Sequence, residues 1–126
     1  MKRIIDTDMA PAAVGAYSQA TSDGDTVYTA GQIPMTPDGT LLDEDPIETQ
    51  TRQCLENVEA ILDEAGLTTQ DVLKVTVYLD DIDDFAAMND AYEEYFLDNP
   101  PARSAVGVEA LPKGVGVEIE AVASDK

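Results

Sequence analysis

The chain has 126 residues, enough for one modest hydrophobic core, and is read as a single domain spanning 1–126. Asp and Glu outnumber Lys and Arg by 26 to 7, a net charge of -19 that opposes binding to nucleic-acid backbones or anionic membrane surfaces. Histidine is absent and Cys54 stands alone, which removes zinc sites, internal disulfides and any Ser-His or Cys-His nucleophile. Hydrophobic residues still make up 44% in clear periodic segments, so the acidity reads as a solvated shell around a folded core, of the kind that adapts a protein to high salt. No apolar run is long enough to span a membrane, and "MKRIIDTDMAPAAVG" lacks the apolar centre of a signal peptide; a cytoplasmic protein is expected.

In chain order, "RIID" and "YSQAT" predict a short hairpin, and "DTVYTAGQIP" (25–34) an alternating strand that stops at Pro34, before a turn at "TPDG". A helix is predicted to open with Asp45 as N-cap, Pro46 at its first position and Glu48 completing a capping box, and to end at Gly66. Thr51, Cys54, Leu55, Val58, Ile61, Leu62 and Ala65 share its inner face, which makes Cys54 a core residue. "DVLKVTVYLDD" alternates with Leu73, Val75, Val77 and Leu79 inward and Lys74, Thr76 and Tyr78 outward. "DDIDD" (80–84) lacks the turn Gly and distal Glu of a calcium loop and reads as a solvated turn with a helix cap. A second helix from near Asp84 to near Leu97 carries the stripe Phe85, Met88, Tyr92, Tyr95 and Phe96, with Asn89 at its edge. Two further strands close the chain, separated by "LPKG".

This order predicts an α/β two-layer sandwich, with both helices on one face of the sheet. If Val106, Val108, Val115, Val117, Ile119 and Ala121 meet the helices, parity places Arg103, Ala105, Gly107, Gly116, Glu118, Glu120 and Val122 on the uncovered face with Thr76 and Tyr78. A mixed face rich in small residues can be covered by copies of the same chain, so a homo-oligomer is expected with Arg103 and Glu120 near a subunit boundary. An arginine fork that grips a carboxylate, with a glutamate able to hold a water, is a minimal hydrolytic site for a 2-imino or 2-keto acid. The plainer alternative is that Arg103 pairs with one of the many acidic residues and Glu120 is a surface charge.

The ordered blocks "APAAVGAYSQA", "TAGQIP", "TRQCLENVEAILDEAGL", "KVTVYLDDIDDFAAMNDAYEEYF" and "PARSAVGVEALPKGVGVEIEAVA" resemble the Rid (YjgF-like) family of reactive-intermediate deaminases over nearly the whole chain. The resemblance implies a chorismate-mutase-like fold with a mixed sheet whose strand near 74–80 lies between the last two. It also implies a homotrimer with sites between subunits. The activity implied is hydrolysis of 2-enamino and 2-imino acids such as 2-aminoacrylate to 2-keto acids and ammonia, without a cofactor or metal. Position by position, it implies that Arg103 clamps the substrate carboxylate and Glu120 orients or activates water. It further implies that Tyr17 lines the pocket rim, Asn89 lends an amide hydrogen bond and Gly31 allows close backbone approach. Ala30, where relatives often have Ser, and Ala105, where they commonly have Cys, depart from the pattern, as does a shorter connection before "PARS". These departures keep open a non-catalytic trimer that binds keto acids. Chaperone-like and RNA-cleaving roles, also attributed to family members, are opposed by the absence of an obvious exposed apolar helix and by the charge. A chorismate mutase would need several cationic groups at its site.

Overall fold

The computed structural model describes residues 1–126. The strands are β1 (Arg3–Ile5), β2 (Ala20–Ser22), β3 (Thr26–Thr29), β4 (Val72–Leu79), β5 (Ala102–Gly107) and β6 (Val117–Ser124). The helices are α1 (Ile47–Glu64) and α2 (Phe85–Tyr92), and 3₁₀ turns fill Thr69–Asp71, Ile82–Asp84 and Pro112–Gly114. All six strands join one mixed sheet in the order β1-β2-β3-β6-β4-β5, antiparallel except for the parallel β4–β5 pair. β3 and β4 both run antiparallel to β6 and so are parallel to each other. The chain therefore makes two successive parallel crossovers, β3-α1-β4 and β4-α2-β5, stepping across the sheet in one direction. The right-handed preference of such crossovers lays both helices on one face, and β6 fills the gap between β3 and β4.

The core lies between the helices and the β4–β6 centre of the sheet. Thr51, Cys54, Leu55, Val58, Ile61 and Leu62 of α1 are buried against Val75, Val77 and Leu79 of β4 and Val117, Ile119, Ala121 and Ala123 of β6. Each large aliphatic side chain so buried contributes about 1.5–3 kcal/mol. Gly66 ends the helix in the left-handed region (φ 78), where Leu67 N–H reaches back to the Leu62 carbonyl. Asp81 accepts from Asp83 N–H, so the "DDIDD" turn caps itself as the sequence predicts.

Four expectations are corrected. Pro46, not Asp45, is the N-cap of α1 and no side chain caps it. Gln50 instead ties the helix start down, donating to the Asp43 and Asp45 carbonyls. Leu73 is exposed, because a bulge between Val72 and Lys74 shifts the register and leaves Val72 as the buried residue. The helical hydrogen bonds of α2 tighten after Tyr92 into i to i−3 turns, although Phe96 remains buried.

The fourth correction bears on function. In the parallel β4–β5 pair Arg103 lies beside Val75 and Ala105 beside Val77, residues that face the helices, while Ser104 and Val106 lie beside Thr76 and Tyr78 on the open face. Arg103, Ala105 and Gly107 thus point toward the helix layer, opposite to the predicted parity. β5 is an edge strand whose roof is the aromatic side of α2, which accepts a guanidinium as readily as an aliphatic chain. Gly116, which precedes β6, also leaves the predicted face and is buried beside Ile47. Along β6 the parity holds, with Val117, Ile119, Ala121 and Ala123 buried and Glu118, Glu120 and Val122 on the open side.

Candidate functional site

The guanidinium of Arg103 is held by one stripe of α2. It lies 4.6 Å from the ring centroid of Tyr92 and 5.3 Å from that of Phe85, and its Nη1 donates to Asn89 Oδ1 at 2.7 Å. Asn89 Nδ2 in turn donates to Glu93 Oε1 at 2.9 Å. The ion pairs of the chain join Arg3 to Asp125, Arg52 to Glu94 and Lys126 to Asp25; Arg103 takes no carboxylate. Within one chain, then, Arg103 pairs with no acid. Beside it opens a cleft of about 490 Å³, walled by Phe96, Leu97, Pro100 and Pro101. Burial pushes the Tyr92 hydroxyl up to about 12, against a smaller opposing effect of Arg103, so this hydroxyl stays protonated; it has no hydrogen-bond partner.

A second cleft, of about 390 Å³, gathers Tyr17, Gly31, Gln32 and Lys113, and no carboxylate lines it. β3 leaves the ladder after Thr29, and Gln32 rejoins β6 through a two-way bridge to Ile119, with N···O distances of 2.7 and 3.0 Å. Residues 29–31 therefore face two residues of β6, a one-residue bulge; Ala30 N–H still bonds the Gln19 carbonyl at 2.8 Å, while the Gly31 N–H is left without a backbone partner. The buried Gln19 amide shapes the other wall, accepting from Thr7 N–H and donating to the Thr7, Ala10 and Pro11 carbonyls. Tyr17 stands 55% exposed on that wall, and its hydroxyl accepts from Val14 N–H.

Glu118 packs beneath the Gly31 bulge so closely that a Cβ at position 31 would fall 2.1 Å from Glu118 Oε2. Only glycine leaves room for that carboxylate where it stands. Burial, and then the charge of Glu120, raises the Glu118 carboxyl above its ordinary range. Glu120 lies on the same open face and accepts from the Tyr78 hydroxyl at 3.2 Å.

Arg103 and Asn89 thus come together, as do Tyr17 and Gly31, but the two groups occupy different clefts. Arg103 projects from the helix face and Glu120 from the open face, so one chain does not bring them to a common point. Glu93 beside Arg103 and Lys113 beside Tyr17 and Gly31 are site neighbours that the sequence reading missed; it had Phe85 and Tyr92 in the stripe beside Asn89, and Glu118 and Tyr78 on the face of Glu120, without a role in the site. For Glu93 the available signal was the spacing 85, 89, 93 along one helical face.

A family model described as "Endoribonuclease L-PSP" matches residues 7–125. The chain belongs to this family, the YjgF-like or Rid family. A RutC family protein of Pyrococcus horikoshii is 52% identical over 123 residues, covering 98% of each chain. A Salmonella typhimurium protein named 2-iminobutanoate/2-iminopropanoate deaminase is 47% identical over 126 residues, again covering 98% of each. The crystal structure of E. coli TdcF with bound serine superposes with a TM-score of 0.92 at 43% identity, covering 97% of this chain and 98% of that one. In this L-PSP family chain no helix is long and apolar enough to cross a membrane.

Proposed function

We propose that this protein hydrolyses small 2-enamino and 2-imino acids, such as 2-aminoacrylate, to 2-keto acids and ammonia, at sites completed between copies in a cytoplasmic homotrimer. The carrying observation is the unpaired Arg103. In a chain of net charge -19 its guanidinium is flanked by two rings and an amide, and Nη1 alone has a protein acceptor, so Nε and Nη2 are free to grip a ligand carboxylate. Relatives named as a 2-iminobutanoate/2-iminopropanoate deaminase and as a reactive intermediate deaminase support the chemistry.

The reaction requires little machinery. An enamine tautomerises to an imine whose carbon is already electrophilic; water adds there, and the tetrahedral adduct expels ammonia to leave the 2-keto acid. Arg103 holds the carboxylate, and Glu120, held by the Tyr78 hydroxyl, orients the water and takes its proton. Tyr17 and the free Gly31 N–H line the opposite wall, and Asn89 acts by orienting Arg103. Because Arg103 and Glu120 leave opposite faces of one sheet, the site needs Arg103 from one copy and Glu120 from another. The exposed Ile4, Tyr28 and Val106 make the open face suited to cover by another copy. Cleavage of RNA, which the family description names, is opposed by the charge and by the single cation in each cleft.

The test is the disappearance of imines generated in situ by an amino-acid oxidase, followed by semicarbazide trapping. Arg103→Ala is expected to lower kcat/KM about ten- to a hundredfold, the loss of one charge-assisted pair of about 1.5–3 kcal/mol. No acceleration by folded wild type with any imine, together with binding of keto acids, would replace the deaminase by a metabolite-binding trimer.

A further inference from the structure

We infer that Glu93 is a positioning residue for Arg103, acting through Asn89; this rests on Arg103 being the carboxylate clamp proposed above. A carboxamide is nearly symmetric in shape and carries an acceptor on one side and donors on the other. Only the orientation with Oδ1 toward the guanidinium makes a bond there; the reverse sets N–H against N–H. Glu93, an acceptor only, takes the Nδ2 hydrogen at 2.9 Å and fixes the productive orientation, in which Oδ1 receives Arg103 Nη1 at 2.7 Å.

The helix supplies the spacing. Phe85, Asn89 and Glu93 follow one another at intervals of four, and Glu93 N–H still bonds the Asn89 carbonyl at 3.0 Å, so helical geometry reaches position 93. One stripe therefore presents a ring, an amide and a carboxylate in succession. The amide also acts as a spacer. A glutamate in direct contact would occupy the fork that a ligand carboxylate needs, whereas one amide away it restrains the guanidinium and leaves Nε and Nη2 free.

The experiment compares Glu93→Ala, Glu93→Gln, Asn89→Ala, the double variant Asn89→Ala/Glu93→Ala and Arg103→Ala. Imine turnover is measured together with pyruvate affinity by calorimetry, and the exposed position of Glu93 makes loss of fold, monitored by circular dichroism, unexpected. Glu93→Ala should raise KM and the pyruvate Kd about twofold with kcat unchanged, and Glu93→Gln, which keeps an acceptor for Nδ2, should stay near wild type. The double variant should be no worse than Asn89→Ala, because Glu93 acts only through that amide. Wild-type KM and Kd in Glu93→Ala, equal damage from Glu93→Gln, or additive losses in the double variant would each overturn the inference. Loss of binding in Arg103→Ala alongside a silent Glu93→Ala would sink only the role of Glu93; unaltered binding and turnover in Arg103→Ala would sink the clamp itself.

Discussion

If each site takes Arg103 from one copy and Glu120 from a neighbour, two inactive variants should restore each other. Arg103→Ala and Glu120→Ala homomers each lack one group at every site. In a randomly assembled 1:1 mixture a site is whole when the copy giving Arg103 is the Glu120 variant, with probability one half, and its neighbour is the Arg103 variant, again one half. Activity should therefore return to about one quarter of wild type, whatever the size of the closed ring. The background is about 1–10% if each variant loses one charge-assisted contact. Co-refolding differently tagged variants, verifying mixed oligomers by native mass spectrometry and timing imine loss would measure it. A control sharpens the test: wild type mixed 1:1 with the double variant should give about one quarter of full activity for shared sites and about one half for sites within a chain. Mixed oligomers without recovery, or a control near one half, would refute the shared site.

Two other predictions concern the sheet. Glu118 has its carboxyl raised by burial and by Glu120, so the native state binds that proton more readily than the unfolded chain does. Its ionisation penalises the fold above the raised pKa, and the penalty fades as pH falls through it; Glu118→Gln should raise Tm at pH 7 and give no gain at pH 4, and equal Tm at both pH values would refute this. A Cβ on Gly116 would stand 2.6 Å from Ile47 Cδ1 and 3.3 Å from Gln50 Oε1, the acceptor of the Gly116 N–H. Gly116→Ala should cost about 1–3 kcal/mol in urea unfolding through displacement of Ile47, and an unchanged midpoint would show that the helix start yields freely.

The fold was legible where each element had neighbours on both sides. The α1 face and the alternation of β6 follow from periodicity because core packing surrounds them. β5 was misread because an edge strand has one neighbour, and Val106 looks like a core residue until the parallel register with Tyr78 puts it on the open face. The bulge that exposes Leu73 has no local signature, and α1 has its N-cap one residue later than Asp45 with no side-chain cap, its turn held by Gln50 donating to the Asp43 and Asp45 carbonyls. Individual site residues could be picked from the chain, but their grouping could not. That Arg103 joins Asn89 while Tyr17 joins Gly31 depends on which face each strand presents.

The charge and the anionic ligand are reconciled by where carboxylates are withheld. Beyond about 10 Å at 0.1 M salt the field of the surface acids is largely screened, so binding is decided by the groups that line each cleft. Around Arg103 the nearest positions are two rings and an amide, and the one acid in that cleft, Glu93, is taken up by the amide. The second cleft has Lys113 and the unpartnered Gly31 N–H and no acid in its lining, while Glu118 sits behind the Gly31 backbone. Both clefts therefore keep a free donor beside a cation in a chain with 26 acidic residues. A side chain at position 31 would push Glu118 out of its place behind the bulge, so the glycine is what lets that carboxylate pack against the backbone outside the cleft lining.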